Sequence, residues 1–139
     1  MQIIQENESQ FVLRFSKGEE FKKTFEEFLS ARGIKGGFFY GLGGAISATL
    51  HYYNLEIKTY GTKEFSSGHF EVTNITGNVA QKEGAYVIHT HATLAGKDCQ
   101  AFGGDVSELV VGGTLEILFT MLNPMIRKFD EETELPLLT

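Results

Sequence analysis

Cysteine is nearly missing from this chain: Cys99 is the only one in 139 residues. An intrachain disulfide is therefore impossible, and a reducing, cytoplasmic setting is the expectation. No apolar run reaches the ~18–20 residues of a membrane span. The opening Met1-Gln2-Ile3-Ile4-Gln5-Glu6 lacks the basic start and long apolar core of a secretion signal. Basic residues are scarce in one half only. Residues 1–70 hold eight acidic and eight basic side chains, while 71–139 hold ten acidic and four basic, so the net charge of −6 arises in the second half. An acidic chain has no general attraction for polyphosphate. Its basic clusters, Lys22-Lys23, Arg32/Lys35 and Arg127-Lys128, are short and flanked by carboxylates.

Several catalytic signatures are absent as well. Gly41-Leu42-Gly43-Gly44 suggests a phosphate loop, but a dinucleotide fingerprint needs a third glycine where this chain has Ile46. The lysine and hydroxyl of a Walker loop are missing too. No nucleotide cofactor is expected, and these glycines read as a tight turn or a close chain contact. There is no Gly-x-Ser-x-Gly elbow. Cys99, beside Asp98, has no neighbouring cation in sequence to activate its thiolate.

What the chain does have is length, apolar content and punctuation. At 139 residues and 42% hydrophobic, it reads as one domain over 1–139 with a core from about residue 10 to 138. A domain of this size buries roughly 68% of its unfolded surface and needs no covalent or metal staple. Phe11 to Phe15 reads as a strand. Ser16-Lys17-Gly18-Glu19 matches a capping box. Phe21, Phe25, Phe28 and Leu29 then recur at helical spacing, predicting a helix over 18–32 closed by Gly33. From residue 36 the pattern is β. Strands are expected over 48–53, 57–60, 71–79, 85–94, 106–111 and 114–122, with Gly112-Gly113 between the last two. The tail 129–134 is acidic and expected to be exposed, with Leu135, Leu137 and Leu138 able to dock it. Short strands, glycine turns and one early helix give an α+β domain with a mostly antiparallel sheet.

His89-Thr90-His91 carries the clearest chemistry. Residues i and i+2 of a strand face one way, so both imidazoles project from one face about 6.5–7 Å apart at the backbone. They can converge on one metal at the ~2.0–2.1 Å of nitrogen ligation. If residues 100–105 return beside the histidine strand, Asp105 completes a two-histidine, one-carboxylate set with open positions. The other reading is two half-buried histidines bonded to backbone carbonyls. Glu71, beside His69, is a candidate proton acceptor or an ordinary surface carboxylate. His51 and Tyr52-Tyr53 read as packing or rim residues.

In order and spacing, these segments resemble the plant-and-prokaryote-conserved (PPC) domain family, from about Phe11 to Leu138. The matching stretches are Gly41–Gly44 with Ala48–Tyr53, Phe70-Glu71-Val72 with Thr76–Ala80, His89–Leu94, Phe102-Gly103-Gly104, and Arg127–Thr133. The resemblance implies an α+β homotrimer. In plants the family's domain accompanies AT-hooks, and stand-alone prokaryotic members are often labelled DNA-binding by that association. Prokaryotic members also imply a metal site from His-x-His and a histidine after Gly-Gly. That carries over to His89 and His91, while the third position here is Asp105, a ligand suited to zinc or another divalent transition metal.

Three functions follow as expectations. One is a trimeric binding or assembly module with a metal or small-molecule pocket. Another is a metal-dependent enzyme of unknown substrate, with metal-activated water at His89, His91 and Asp105, and Glu71 as proton acceptor. The third is DNA binding, which the chain speaks against: it has no Arg-Gly-Arg core, and its negative half is the half that holds the candidate ligands.

Overall fold

The computed structural model describes residues 1–139. In chain order the elements are β1 (Gln2–Glu6), β2 (Gln10–Ser16), α1 (Phe21–Arg32), β3 (Gly37–Asn54), β4 (Thr59–Phe65), β5 (Phe70–Lys82), β6 (Ala85–Ala95), β7 (Ala101–Met121), β8 (Arg127–Asp130) and β9 (Leu135–Leu138). Seven strands form one antiparallel sheet in the order β1-β2-β7-β6-β5-β3-β4. Strands β3 and β7 also pair with each other, so β3, β5, β6 and β7 close into a ring. The remaining two strands, β8 and β9, form a separate hairpin. The expected mostly antiparallel α+β architecture with one main helix is what the chain adopts. No helix is long and apolar enough to cross a membrane.

Alternation sets which side chains fill the core. In β2, Phe11, Leu13 and Phe15 point inward and their neighbours outward, as period-2 geometry requires. Helix α1 buries Phe21, Phe25, Phe28 and Leu29 along one stripe. Phe25 is the hub: its ring lies 5.4 Å from Phe39 and 5.3 Å from Phe119, both edge-on. Each fully buried ring of this kind stabilises the fold by roughly 1.5–3 kcal/mol through apolar burial.

The structure shifts several of the expected boundaries. The helix starts at Phe21 with Glu20 as its N-cap, not Ser16. Ser16 is already committed to β2, where it pairs with Thr114, while the Glu20 carboxylate accepts from the Lys22 and Lys23 amides. Glu19 still reaches back to the Ser16 amide at 2.6 Å. Gly33 caps the far end as expected, with φ 65 and its N–H on the Leu29 and Ser30 carbonyls. Residues 41–44 do not turn; β3 runs through them. A Cβ at Gly41 would lie 2.0 Å from the Glu116 carbonyl oxygen, so the close-contact reading holds. Likewise β7 continues through Gly112-Gly113 as one strand. Strand β4 begins at Thr59, two residues after the expected start. Two further elements had no counterpart in the sequence reading: β1 pairs with β2, and the tail forms the β8–β9 hairpin.

Candidate metal centre

Ile88, Thr90, Ala92 and Leu94 of β6 are buried, so His89 and His91 must emerge on the opposite face. The chain does return beside them. Asp105 of β7 lies directly opposite His91, and His51 of β3 lies opposite Asp105 on its other side. Ligand atoms of His89, His91 and Asp105 all fall within 4.8 Å of one another. His89 Nε2 stands 4.0 Å from Asp105 Oδ1, and the two imidazole rings meet edge to face at 5.0 Å. Gly77 permits this: a Cβ there would sit 2.1 Å from the His89 carbonyl oxygen. Any side chain would hold β5 away from the histidine strand.

These donors suit a divalent transition metal. Metal–ligand bonds of 2.0–2.2 Å in a tetrahedron place donors about 3.4 Å apart, so small side-chain rotations close the set. Burial, and then the Arg127 charge, push the His89 pKa below its ordinary value of 6.5, with Asp105 pulling the other way. The neutral imidazole that results is the ligating form. The His89 and Asp105 side chains are 44% and 30% exposed, so an ion can enter. A metal held by these three donors would keep at least one coordination position open, the pattern of catalytic and ligand-binding metals rather than closed structural ones.

That open side faces a cavity of about 580 Å³, within the range of small-molecule sites. Lys22 enters it from the first turn of α1 and Arg127 from the start of β8. The β6–β7 pairing ends at His91 and Asp105, while β6 continues along β5 to Ala85. The β8–β9 hairpin supplies Leu135 and Leu137 to the facing wall. Arg127 ties the hairpin down, donating 2.7 Å to the Pro136 carbonyl and 2.8 Å to Asn78 Oδ1. Tyr53 O–H donates to the Thr133 carbonyl at 2.9 Å, and the Lys58 ammonium donates to the Glu132 carbonyl.

The other sequence candidates fall elsewhere. Glu71 is exposed and pairs with Ala95, about 13 Å along the ladder from His91 at strand rise. It does not line the cavity. Cys99 is exposed in the turn before β7. Also lining it are Lys22 and Arg127, expected only as parts of short basic clusters, and Tyr53 and His51, expected as packing or rim residues. No local pattern marks the first three, because a helix start, a hairpin and a strand end meet there only through tertiary packing.

A family model for the Plants and Prokaryotes Conserved (PCC) domain matches residues 3–123. Among solved structures, a metal-containing protein from Archaeoglobus fulgidus is 30% identical with TM-score 0.86, the match covering 100% of this chain and 99% of that one. A Ralstonia eutropha protein carrying a provisional DNA-binding label is 27% identical, TM-score 0.89, with 97% and 94% covered. A plant- and prokaryote-conserved protein from Pyrococcus horikoshii is 24% identical, TM-score 0.84, with 94% and 90% covered. No curated protein matches the sequence.

Proposed function

The chain belongs to the Plants and Prokaryotes Conserved (PCC) domain family, and on that premise we propose that it is a homotrimeric binding module holding a divalent transition metal, such as zinc, on His89, His91 and Asp105. The observation that carries this reading is the convergence of the three donors within 4.8 Å at the wall of a cavity. The metal-containing relative from Archaeoglobus fulgidus adds support. When bound, the ion would supply a Lewis-acid centre. His89 and His91 would each offer it a ring nitrogen, Asp105 would offset part of its charge, and Lys22 and Arg127 place cations in the same cavity.

Assembly is supported by an exposed apolar row on β3: Phe38, Tyr40 and Leu42 are 48%, 61% and 59% exposed. They share one strand face, as successive alternate residues must. The lone, exposed Cys99 suits a reducing, cytoplasmic setting.

Enzymatic use of the metal is the second reading, favoured by the cavity over the open coordination position. Direct DNA binding has less behind it. The net charge is −6, and the α1 N-terminal amides that would meet a phosphate are bound to Glu20 instead.

Elemental analysis of protein purified without chelator tests the metal reading. Stoichiometric metal is expected in the wild type and should vanish in His89→Ala and in Asp105→Ala; metal-free wild-type protein overturns it. Light scattering on the same samples should give the mass of three chains, and a monomer overturns the assembly. A gel shift at low salt, where phosphate contacts are strongest, should show no complex.

A further inference from the structure

Lys22 and Arg127 are two cations that holding a metal does not require, and ordinary electrostatics disfavours them there. Each lines the cavity that holds the two histidines, where a bound dication would repel both. Neither has the usual partner. Lys22 is half-buried yet forms no salt bridge, Asp105 and then Glu20 acting on it only at longer range. Arg127 spends both terminal nitrogens on Pro136 and Asn78, and its Nε is buried with no hydrogen-bond partner. Counting the ion's two charges and these two side chains against the carboxylates of Asp105 and of Glu20, which also acts on Lys22, the loaded cavity still carries excess positive charge and lacks an anion.

The shape of the vacancy in charge narrows the anion's class. Phosphate is best held by a guanidinium fork or by helix N-terminal amides. Here no edge of the guanidinium is free on both nitrogens, because Nη1 is held by Pro136, Nη2 by Asn78 and Nε is buried, and the amides of Lys22 and Lys23 are committed to Glu20. What is left is the Lys22 ammonium in the same cavity as the three metal donors, two binding points that can each take one oxygen of a carboxylate but leave the further oxygens of a phosphate without donors. Apart from His51 and three tyrosines, the rest of the lining is apolar and includes Leu55, Leu135 and Leu137.

We propose that the cavity binds a small carboxylate with an apolar tail, its carboxylate set between the metal and the Lys22 ammonium and its tail against Leu55, Leu135 and Leu137. This rests on the metal reading of the same site, and the test separates the two.

Protein loaded with Co²⁺ is titrated first with the metal alone, then with isovalerate, acetate, isovaleramide or inorganic phosphate, following the cobalt absorption bands. Isovalerate should perturb the bands saturably and at least tenfold more tightly than acetate, while the neutral amide and phosphate leave them unchanged. Lys22→Met should raise the isovalerate Kd at least tenfold without lowering Co²⁺ stoichiometry, and Lys22→Arg should restore most of the affinity. Equal binding of the amide or of phosphate, or an unchanged Kd in Lys22→Met, overturns the proposal. If the wild type takes up no Co²⁺, the metal reading fails and isovalerate is titrated into metal-free protein by calorimetry. Lys22-dependent binding there upholds the carboxylate pocket, and no binding overturns it.

Discussion

Replacing Gly77 with alanine should alter the proposed metal centre without touching the side chains of His89, His91 or Asp105. The new Cβ would lie 2.1 Å from the His89 carbonyl oxygen and 2.5 Å from Phe39 Cζ, where real Cβ contacts lie beyond 3.0 Å. The near neighbour is backbone and cannot rotate away, so β5 and β6 must separate by roughly 1 Å, an overpacking that costs about 1–3 kcal/mol. For a chain of this size each kcal/mol moves the midpoint by about 3–4 °C, so Tm should fall by about 3–12 °C. Gly77 pairs with Thr90, between the two histidines, so the same displacement reaches their imidazoles. Metal sites tolerate errors of only about 0.5 Å, and Co²⁺ affinity should drop at least tenfold. Thermal unfolding of metal-free protein and a cobalt titration measure the two effects. Gly113→Ala is the control, because a Cβ there meets nothing within 4 Å. A Gly77→Ala midpoint no lower than that of Gly113→Ala would refute the close-approach reasoning.

Stability of the metal-free protein should decline as pH falls below neutral. Burial, followed by the Arg127 charge, keeps the folded His89 pKa below its ordinary value of 6.5; the unfolded chain therefore takes up its proton first, and stability is lost as pH falls from about 6.5 toward the folded value. His89→Gln should flatten that part of the Tm–pH curve, and an unchanged slope would count against the assignment. Separately, Glu20→Ala removes the acceptor for the Lys22, Lys23 and Leu109 amides. It should lower stability by about 0.5–2 kcal/mol in urea unfolding, with Glu20→Gln recovering part of the loss; a loss too small to detect would mean water replaces the cap at no cost.

Much of the fold is legible in local pattern. The spacing of Phe21, Phe25, Phe28 and Leu29 dictates α1, and period-2 alternation places His89 and His91 on one face before any contact is known. The helix start is where local pattern misleads. Ser16 and Glu19 match a capping box, but the ladder of β2 with β7 claims Ser16, and tertiary pairing outweighs a cap. The glycine-rich segments mislead similarly, because a glycine required by a neighbouring strand looks in sequence like one required by a turn. Asp105 could be placed by supposing that the chain doubles back once. Lys22 and Arg127 could not, since each reaches the histidines only after α1 or β8 has docked.

That docking has a thermodynamic consequence at the hairpin. Strands β8 and β9 pair over only four residues each, and an isolated two-stranded ribbon of that length is marginal in water. Its position depends on the contacts of Arg127, Tyr53 and Lys58 and on the backbone bridge of Gln81 to Met125 and Ile126, so the wall formed by Leu135 and Leu137 stands only while the hairpin is held by them. Occupant affinity is then scaled by the fraction of molecules with the hairpin seated, and any occupant that touches the wall raises that fraction in return. Residues 127–138 lie beyond the span matched by the family model. Substitutions there can therefore retune which molecules the cavity retains, and how long it retains them, while the three donor side chains stay as they are.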